Sequence, residues 1–467
     1  MHPFSTSSRL CSIPVLIAAI TLTLVLHYLL PLTPTDRISF IALLWSSVVA
    51  VLTYFSTRPL AVLLLDYSCY CPDADHRCNL ELCEYFGMRS RRYSPESADF
   101  MRAIYRKSGL GDETYAPPYI FQPDLDSKLP PAIVEADDGM CSAVAALLSK
   151  TSVAPEMIST LIVACSMFSP VPSLASRIVN RFQFRSDVKS FNLSGMGCST
   201  GALGMDLATR ILRRSPGYAL LVVTEATGLN WYFGDNRHML VTNCIFRVGT
   251  AAALLTSNPA CRDSAKYELL KSLRTHHGSE DTAYNAAMQA DDGKGGIGVA
   301  LTKDLVRVAG ASLRSHISNL APRVLPVSEL ARYAWRVVRS VVKGERKAAA
   351  AHVPDFTTAF EHMCIHAGGK AVIDAVGRIM GFDDWVIEPA RMCLHRFGNT
   401  SSSLVFYELG YFEATGRIRR GDRVWILAFG TGFKACSVVC RALRDVRMAP
   451  DNPWKDSVHR YPLKLRV

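Results

Sequence analysis

A layered α/β fold behind two apolar N-terminal segments is what this sequence predicts, on three observations. From about Arg77 onward, short apolar runs of strand length alternate with stretches of helical spacing, the signature of strands and helices stacked in layers. Before that, Leu10–Leu32 is almost wholly apolar, with His27 its only ionisable residue, and a second apolar stretch runs from Ile38 to about Phe55. The composition, 49% hydrophobic and 20% charged over 467 residues, suits one large two-part globular body. It excludes a disordered chain and a small disulfide-stapled scaffold.

The N-terminal segments come first. A helix needs about 20 apolar residues to cross a bilayer, whereas the apolar region of a signal peptide is only about 7–15 residues long. Two transmembrane helices are therefore expected, at about 10–32 and 38–55, and they account for much of the mean hydropathy of +0.14. Pro31 and Pro34 in the connection suit a tight hairpin, and Trp45, Tyr54 and Phe55 are candidate interface anchors. The connection carries Asp36 and Arg37, while Arg58, Arg77, Arg89, Arg91 and Arg92 follow the second segment. That asymmetry predicts a cytosolic body.

In the body, Ser97–Lys107 and Met140–Leu148 have helical spacing, and Thr160–Cys165 and Tyr218–Thr224 read as buried strands. Strands over Gly249–Thr256 and Tyr267–Arg274, helices over Ala367–Met380 and Ser401–Glu413, and a strand over Val424–Phe429 continue the alternation. Val337–Ala351, basic and alanine-rich with Lys343, Arg346 and Lys347, reads as a surface loop or linker helix. The net charge of +11, from 52 Lys+Arg against 41 Asp+Glu, favours anionic partners such as an acidic membrane face or a coenzyme A thioester. No dense basic run interleaved with aromatics points to nucleic acid. Of 14 cysteines, Cys69, Cys71, Cys78 and Cys83 fall close together without the C-x2-C spacing of a zinc site. Reduced, mostly buried thiols are expected, with metal binding left open for that group alone.

Chemistry concentrates in Ser190–Ala208, which reads as a short strand, a glycine-flanked turn at Gly195-Met196-Gly197-Cys198, and a helix. The glycines allow a tight turn. Cys198 is placed at the first turn of the helix, where unpaired N–H groups and the helix dipole favour a thiolate and lower its pKa. A thiolate there can attack a thioester carbonyl. A buried structural cysteine beside a glycine bend fits the same turn about equally well. Two later segments alter that balance: Glu361–Lys370 places His366 before a glycine pair, and Leu394–Ser403 places Asn399 before a run of small polar residues.

Together these segments resemble the plant 3-ketoacyl-CoA synthases. The resemblance runs through Ser108–Tyr115, Asn192–Leu207, Leu229–Gly234, Arg274-Thr275-His276, Ile365–Asp374, His395–Ser403 and Phe429–Lys434. One departure is His277, where the family pattern has lysine. The resemblance implies a thiolase-like, duplicated five-layer αβαβα fold. It divides the chain into a membrane anchor (1–66), an N-terminal half of the condensing domain (67–355) carrying the cysteine, and a C-terminal half (356–467) carrying His366 and Asn399. It assigns the nucleophile to Cys198 and the catalytic histidine and asparagine to His366 and Asn399.

Supporting places are expected for His395, His276 and His277, and backbone oxyanion contacts for Gly430, Gly432 and the Cys198 N–H. The implied reaction joins acyl-CoA to malonyl-CoA with loss of carbon dioxide. Decarboxylation makes the carbanion directly, so no metal, flavin or nicotinamide cofactor is expected. The family further implies a homodimer at the endoplasmic reticulum membrane, working with elongase reductases and a dehydratase. A chalcone-synthase-like polyketide synthase shares the Cys-His-Asn chemistry, and a catalytically silent elongase scaffold is the alternative of another class. Asn192-Leu193-Ser194 and Asn399-Thr400-Ser401 fit the N-glycosylation pattern. On a cytosolic body, and so close to the expected chemistry, both read as chance matches.

Overall fold

The computed structural model describes residues 20–21, 23, 33–57, 59–90, 92–122, 128–345 and 352–463. Helix α1 (Pro34–Thr57) covers the second predicted span. In it the hydroxyls of Ser46 and Ser47 each donate to the Leu43 carbonyl at 2.8 Å. Most of 10–32 lies outside the described residues. Among the described residues no helix is long and apolar enough to cross a membrane.

Strand β1 (Val62–Cys69) opens the body and runs through position 66, so the folded core begins inside the segment assigned from sequence to the anchor. Helices α2 (Leu80–Ser90) and α3 (Pro95–Lys107) follow, then α4 (Leu129–Thr151). The first half continues with β2 (Ile158–Ala164), α5 (Leu174–Phe182), β3 (Lys189–Leu193), α6 (Thr200–Leu212), β4 (Tyr218–Thr224), α7 (Arg237–Ile245) and β5 (Thr250–Thr256). The second half holds β6 (Tyr267–His276), the hairpin β7 (Ala287–Asp291) and β8 (Ile297–Leu301), α8 (Leu305–Val324), α9 (Val327–Val342) and β9 (His362–Ile365), so the sheet divides between β5 and β6 and not at the 355/356 boundary expected from the resemblance. It ends with α10 (Lys370–Met380), α11 (Asp384–Phe397), α12 (Leu404–Ala414), β10 (Arg423–Gly430) and β11 (Lys434–Ala442). The segment read as a loop or linker helix is thus helical in its first part, to Val342.

The nine-stranded sheet runs β9-β10-β11-β6-β1-β5-β4-β2-β3, and its pairings repeat. In the first half β2 pairs parallel with β4, β4 antiparallel with β5, and β5 antiparallel with β1. In the second half β9 pairs parallel with β10, β10 antiparallel with β11, and β11 antiparallel with β6. The halves join where β1 meets β6 over Val62–Leu64. Helix α6 packs on β2, β4 and β5 of one half and on β6, β10 and β11 of the other, and α12 packs on β9 and β1. With α4 and α5 outside the first half-sheet and α8 outside the second, five layers result. Strands β4 and β5 are buried along their whole length, as sheets covered on both faces require.

At the joint, Lys266 Nζ lies 2.8 Å from Asp66 and 2.9 Å from Glu413, and Lys150 is 3.2 Å from Asp66. Breaking such a buried cluster by removing one partner strands the others, at a cost of about 3–5 kcal/mol.

Candidate active site

Cys198 lies in a single 3-10 turn, Gly197–Ser199, between β3 and α6. Gly197 adopts φ +68°, and a Cβ on it would come within 2.3 Å of the Thr431 N, so both conformation and contact demand glycine. The facing Gly430 is constrained by contact alone, because its Cβ would meet Ser199 Oγ at 2.3 Å and Met196 O at 2.4 Å. Lys434 Nζ ties this second turn in place by donating to Thr431 O at 2.5 Å and Met196 O at 3.5 Å.

His366 follows β9, with its N–H on Leu427 O at 2.9 Å. Its ring is buried and neither ring nitrogen has a partner. Burial lowers its pKa to about 4, so the imidazole is neutral at physiological pH. Asn399 is clamped by its backbone between Ile245 and Arg247. Its Oδ1 accepts from Ser401 N at 2.8 Å and its Nδ2 donates to Gly368 O at 3.3 Å. The side-chain oxygen is therefore occupied and one amide N–H is held by Gly368, which leaves the second N–H to face the Cys198 sulfur or a ligand.

Cys198, His366 and Asn399 come from three separate segments and line one cavity. Its remaining wall is mostly apolar, with Met167, Phe246, Leu301, Val372, Phe429 and Phe433 among the lining residues. Gly430 also lines it. The other residues singled out from sequence do not. Gly432 and His276 sit beyond the Thr431 turn, where His276 Nδ1 accepts from Gly278 N at 3.0 Å. His277 donates its backbone N–H to Phe433 O and its buried Nε2 is unpartnered. His395 packs against Gly111, where a Cβ would fall 2.3 Å from its ring, and its Nδ1 contacts Tyr461 Oη at 3.0 Å.

Burial overrides the expected lowering of the Cys198 pKa. Removal from water pushes the thiol up to about 12, against opposing hydrogen bonds from Ser401, the Cys198 backbone and Asn399. One 3-10 turn separates it from α6, and a thiolate in a dry site loses more hydration than such donors restore.

Two residues that the sequence did not announce complete the floor. Ser401 Oγ is 3.5 Å from Cys198 Sγ and 2.7 Å from Glu225 Oε2. Glu225, directly after β4, also accepts from Ser166 N (3.1 Å), Met167 N (2.8 Å) and Cys165 Sγ (3.3 Å). Burial raises its pKa and those hydrogen bonds oppose the rise. The available signals were a glutamate ending an otherwise apolar strand run, and a serine two residues past Asn399. Elsewhere, Cys78 and Cys83 place their sulfurs 3.0 Å apart as free thiols. Among the described residues no group of His, Cys, Asp and Glu converges to hold a metal.

A cysteine turn, a neutral imidazole and an amide meet on one largely apolar cavity, an arrangement that suits a condensing enzyme. Comparison with known proteins agrees. Residues 54–342 match the family described as FAE1/Type III polyketide synthase-like protein, and 357–442 match the 3-oxoacyl-[acyl-carrier-protein] synthase III C-terminal family. The chain is 44% identical over 453 residues to 3-ketoacyl-CoA synthase 2 of Arabidopsis thaliana, covering 95% of this chain and 85% of that protein. It is 43% identical to 3-ketoacyl-CoA synthase 11 of the same plant, over 88% and 81% of the two chains. Among solved structures, the type III polyketide synthase domain of Steely1 from Dictyostelium superposes with a TM-score of 0.64 at 17% identity, over 82% of this chain and 99% of that one. The fungal type III polyketide synthase ORAS gives 0.64 at 16%, over 82% and 100%. At these identities the structures attest the fold alone. The chain belongs to the 3-ketoacyl-CoA synthase family of condensing acyltransferases.

Proposed function

We propose that this chain condenses a long-chain acyl-CoA with malonyl-CoA to give a 3-ketoacyl-CoA two carbons longer, the first step of very-long-chain fatty acid elongation. The observation that carries this reading is the meeting of Cys198, His366 and Asn399 on one largely apolar cavity. The Cys198 sulfur attacks the acyl thioester carbonyl, the bond to the CoA sulfur breaks, and CoA leaves as the thiol with the Cys198 proton. Malonyl-CoA then binds and loses carbon dioxide, and the electron pair of the broken C–C bond moves onto the thioester as an enolate. The Nε2–H of neutral His366 and the Nδ2–H of Asn399 donate to that enolate oxygen. A preorganised donor of this kind contributes about 3–4 kcal/mol. The enolate carbon attacks the Cys198 thioester, the bond to sulfur breaks, and the thiolate takes a proton from solvent to restore the thiol. The Cys198 N–H and the Gly430 turn are the oxyanion contacts assigned to the two tetrahedral intermediates.

Microsomes expressing the chain, given labelled malonyl-CoA and a panel of acyl-CoAs, test the reading. Label is expected in 3-ketoacyl or elongated products and absent with Cys198→Ala. No label with any primer, from well-expressed protein, would favour a scaffold.

The apolar lengths of 10–32 and 38–55 and the arginines that follow them support anchoring in the endoplasmic reticulum membrane with a cytosolic body. A body protected from protease in intact microsomes would overturn that orientation. A homodimer is supported by β3, which ends the sheet as an edge strand with Phe191 exposed. Reductases and a dehydratase are the partners that a 3-ketoacyl product requires.

A further inference from the structure

Helix α9 is built inside out for a helix facing water. Its inner face carries Glu329 and Ser340, both buried. Glu329 accepts from Arg336 at 2.7 Å and Asp355 N at 2.9 Å and lies 3.1 Å from Arg332, while Ser340 contacts His352 Nε2 at 2.9 Å. Its outer face is apolar. Val327, Trp335, Val338, Val341 and Val342 are 82%, 68%, 53%, 50% and 80% exposed, and Ala331 and Ala334 fill the gaps between them. That spacing draws one continuous stripe along a helix. Arg332, Arg336, Arg339 and Lys343 line one edge of it, Arg332 and Arg336 also pairing with Glu329, and the only carboxylate in the helix is that buried Glu329.

The surroundings extend the pattern. Just before α9, Val324 O accepts from Arg423 Nη1 at 3.3 Å, and Arg423 stands opposite Arg441 in the β10–β11 register. Arg441 lines a groove with Pro59, Leu60 and Ala61, where the chain passes from α1 into β1. That groove holds Arg210, Arg213, Arg262 and Lys271 as well, against the two carboxylates of Asp206 and Glu268. The apolar stripe and this basic groove thus lie at the same end of the sheet, where β1, β6 and β10 begin.

We infer that α9 lies in the interfacial layer of a bilayer bearing anionic phospholipids, with its Val/Trp stripe among the upper acyl chains and its flanking cations on the headgroups. An exposed apolar stripe edged by basic residues and carrying a tryptophan is the composition that binds such a layer. A second copy of this chain fits less well, because a self-complementary contact would set one helix's cations against its partner's with no exposed carboxylate in either helix to meet them. This surface is separate from the N-terminal segments and adds a second attachment whether or not those segments span the membrane.

The test uses the full chain reconstituted in phosphatidylcholine vesicles whose acyl chains carry bromine, a short-range quencher of tryptophan, with and without phosphatidylserine. Wild type is compared with Trp335→Phe, so that quenching at the other five tryptophans, including Trp45, cancels. The expected result is a quenched component that is lost in Trp335→Phe, larger with phosphatidylserine and reduced by salt. The double variant Val338→Glu/Val342→Glu should abolish that component while condensation assayed in detergent stays within about twofold, because α9 does not line the cavity. Equal quenching in wild type and Trp335→Phe overturns the inference. So does a sedimentation shift from dimer to monomer in the double variant, which would make α9 a self-association face. The detergent assay reports the condensing reaction separately.

Discussion

The Ser401 hydroxyl bridges Cys198 and Glu225, at 3.5 Å from the sulfur and 2.7 Å from the carboxylate. A hydroxyl has one proton to give. It can serve the carboxylate or the sulfur but not both at once, and donation to the sulfur is the arrangement that favours the thiolate. Ser401 also holds φ +55°, a conformation that costs a non-glycine residue about 1 kcal/mol or more. Ser401→Ala is expected to slow acyl transfer to Cys198 about tenfold, the worth of one hydrogen bond, and to leave carbon dioxide release from malonyl-CoA near wild type. Labelled acyl-CoA in single turnover, read beside labelled carbon dioxide, checks both halves.

Removal of Asn399 acts on the other half-reaction. Asn399→Ala deletes an enolate donor and is expected to cut condensation by about a hundredfold or more, with the acyl-enzyme still forming. Persistence of labelled acyl-Cys198 alongside lost product formation is the diagnostic pair. Normal condensation would remove Asn399 from the proposed machinery.

The His366 pKa, lowered to about 4 by burial, links stability to acid. The folded chain binds fewer protons than the unfolded chain between about pH 6.5 and pH 4. The stability this provides is therefore complete above about pH 6.5 and is lost as pH falls toward 4. A shift of that size corresponds to on the order of 3 kcal/mol. His366→Gln should flatten the loss, and urea melts between pH 7 and pH 4 measure it. His316, lowered to about 4, remains in the variant, as do His276 and His395 and the carboxylates of Glu113, Glu268 and Asp451, all held below their ordinary values, and together they leave a residual slope.

Cys198 carries the opposite linkage. Its thiol is pushed up to about 12, so the folded state holds a proton that the unfolded state releases near pH 8.5. The associated stability is present below that pH and falls as pH rises toward 12. Alkylation of Cys198 by iodoacetamide in the free enzyme should climb steadily through pH 9 with no plateau near 8.5. A plateau there would mean an ordinary, water-exposed thiol.

Gly197→Ala is expected to abolish acyl transfer while the body stays folded. The new Cβ meets Thr431 N at 2.3 Å, on the turn that faces Cys198, and the residue must also hold φ +68°. Circular dichroism with the single-turnover assay separates the two effects.

Much of the architecture was legible in the residues. The apolar run Tyr218–Thr224 forms β4 with those ends, because a strand covered on both faces needs unbroken apolar residues. Met140–Leu148 marked only the middle of α4, which starts at Leu129: Pro130 and Pro131 fit the first turn, where no N–H is needed. Strand β1 was hidden behind the apolar second segment, since hydropathy does not separate a buried strand from the end of an anchor. Cys198, His366 and Asn399 were recognisable through their motifs, and the structure brings them together. Glu225 and Ser401 gain their places only when β4 and the Thr400–Ser403 turn meet in space. The Cys198 pKa was misjudged because helix position is visible in a sequence and dryness is not. His276, His277 and His395, expected only in supporting places, do not line the cavity.

The two halves of the sheet repeat one pattern of pairings, and each places a 3-10 turn with a left-handed first residue before a central helix: Gly197 ahead of α6 and Ser401 ahead of α12. The equivalent turns present different groups: one carries the Cys198 sulfur, and the other carries the Ser401 hydroxyl with the Asn399 amide just ahead of it. The proposed catalytic centre thus lies on the seam between the two half-sheets, and its geometry depends on how the halves sit together. A substitution at the short β1–β6 joint, well away from the substrate, can therefore slow turnover in a protein that remains fully folded.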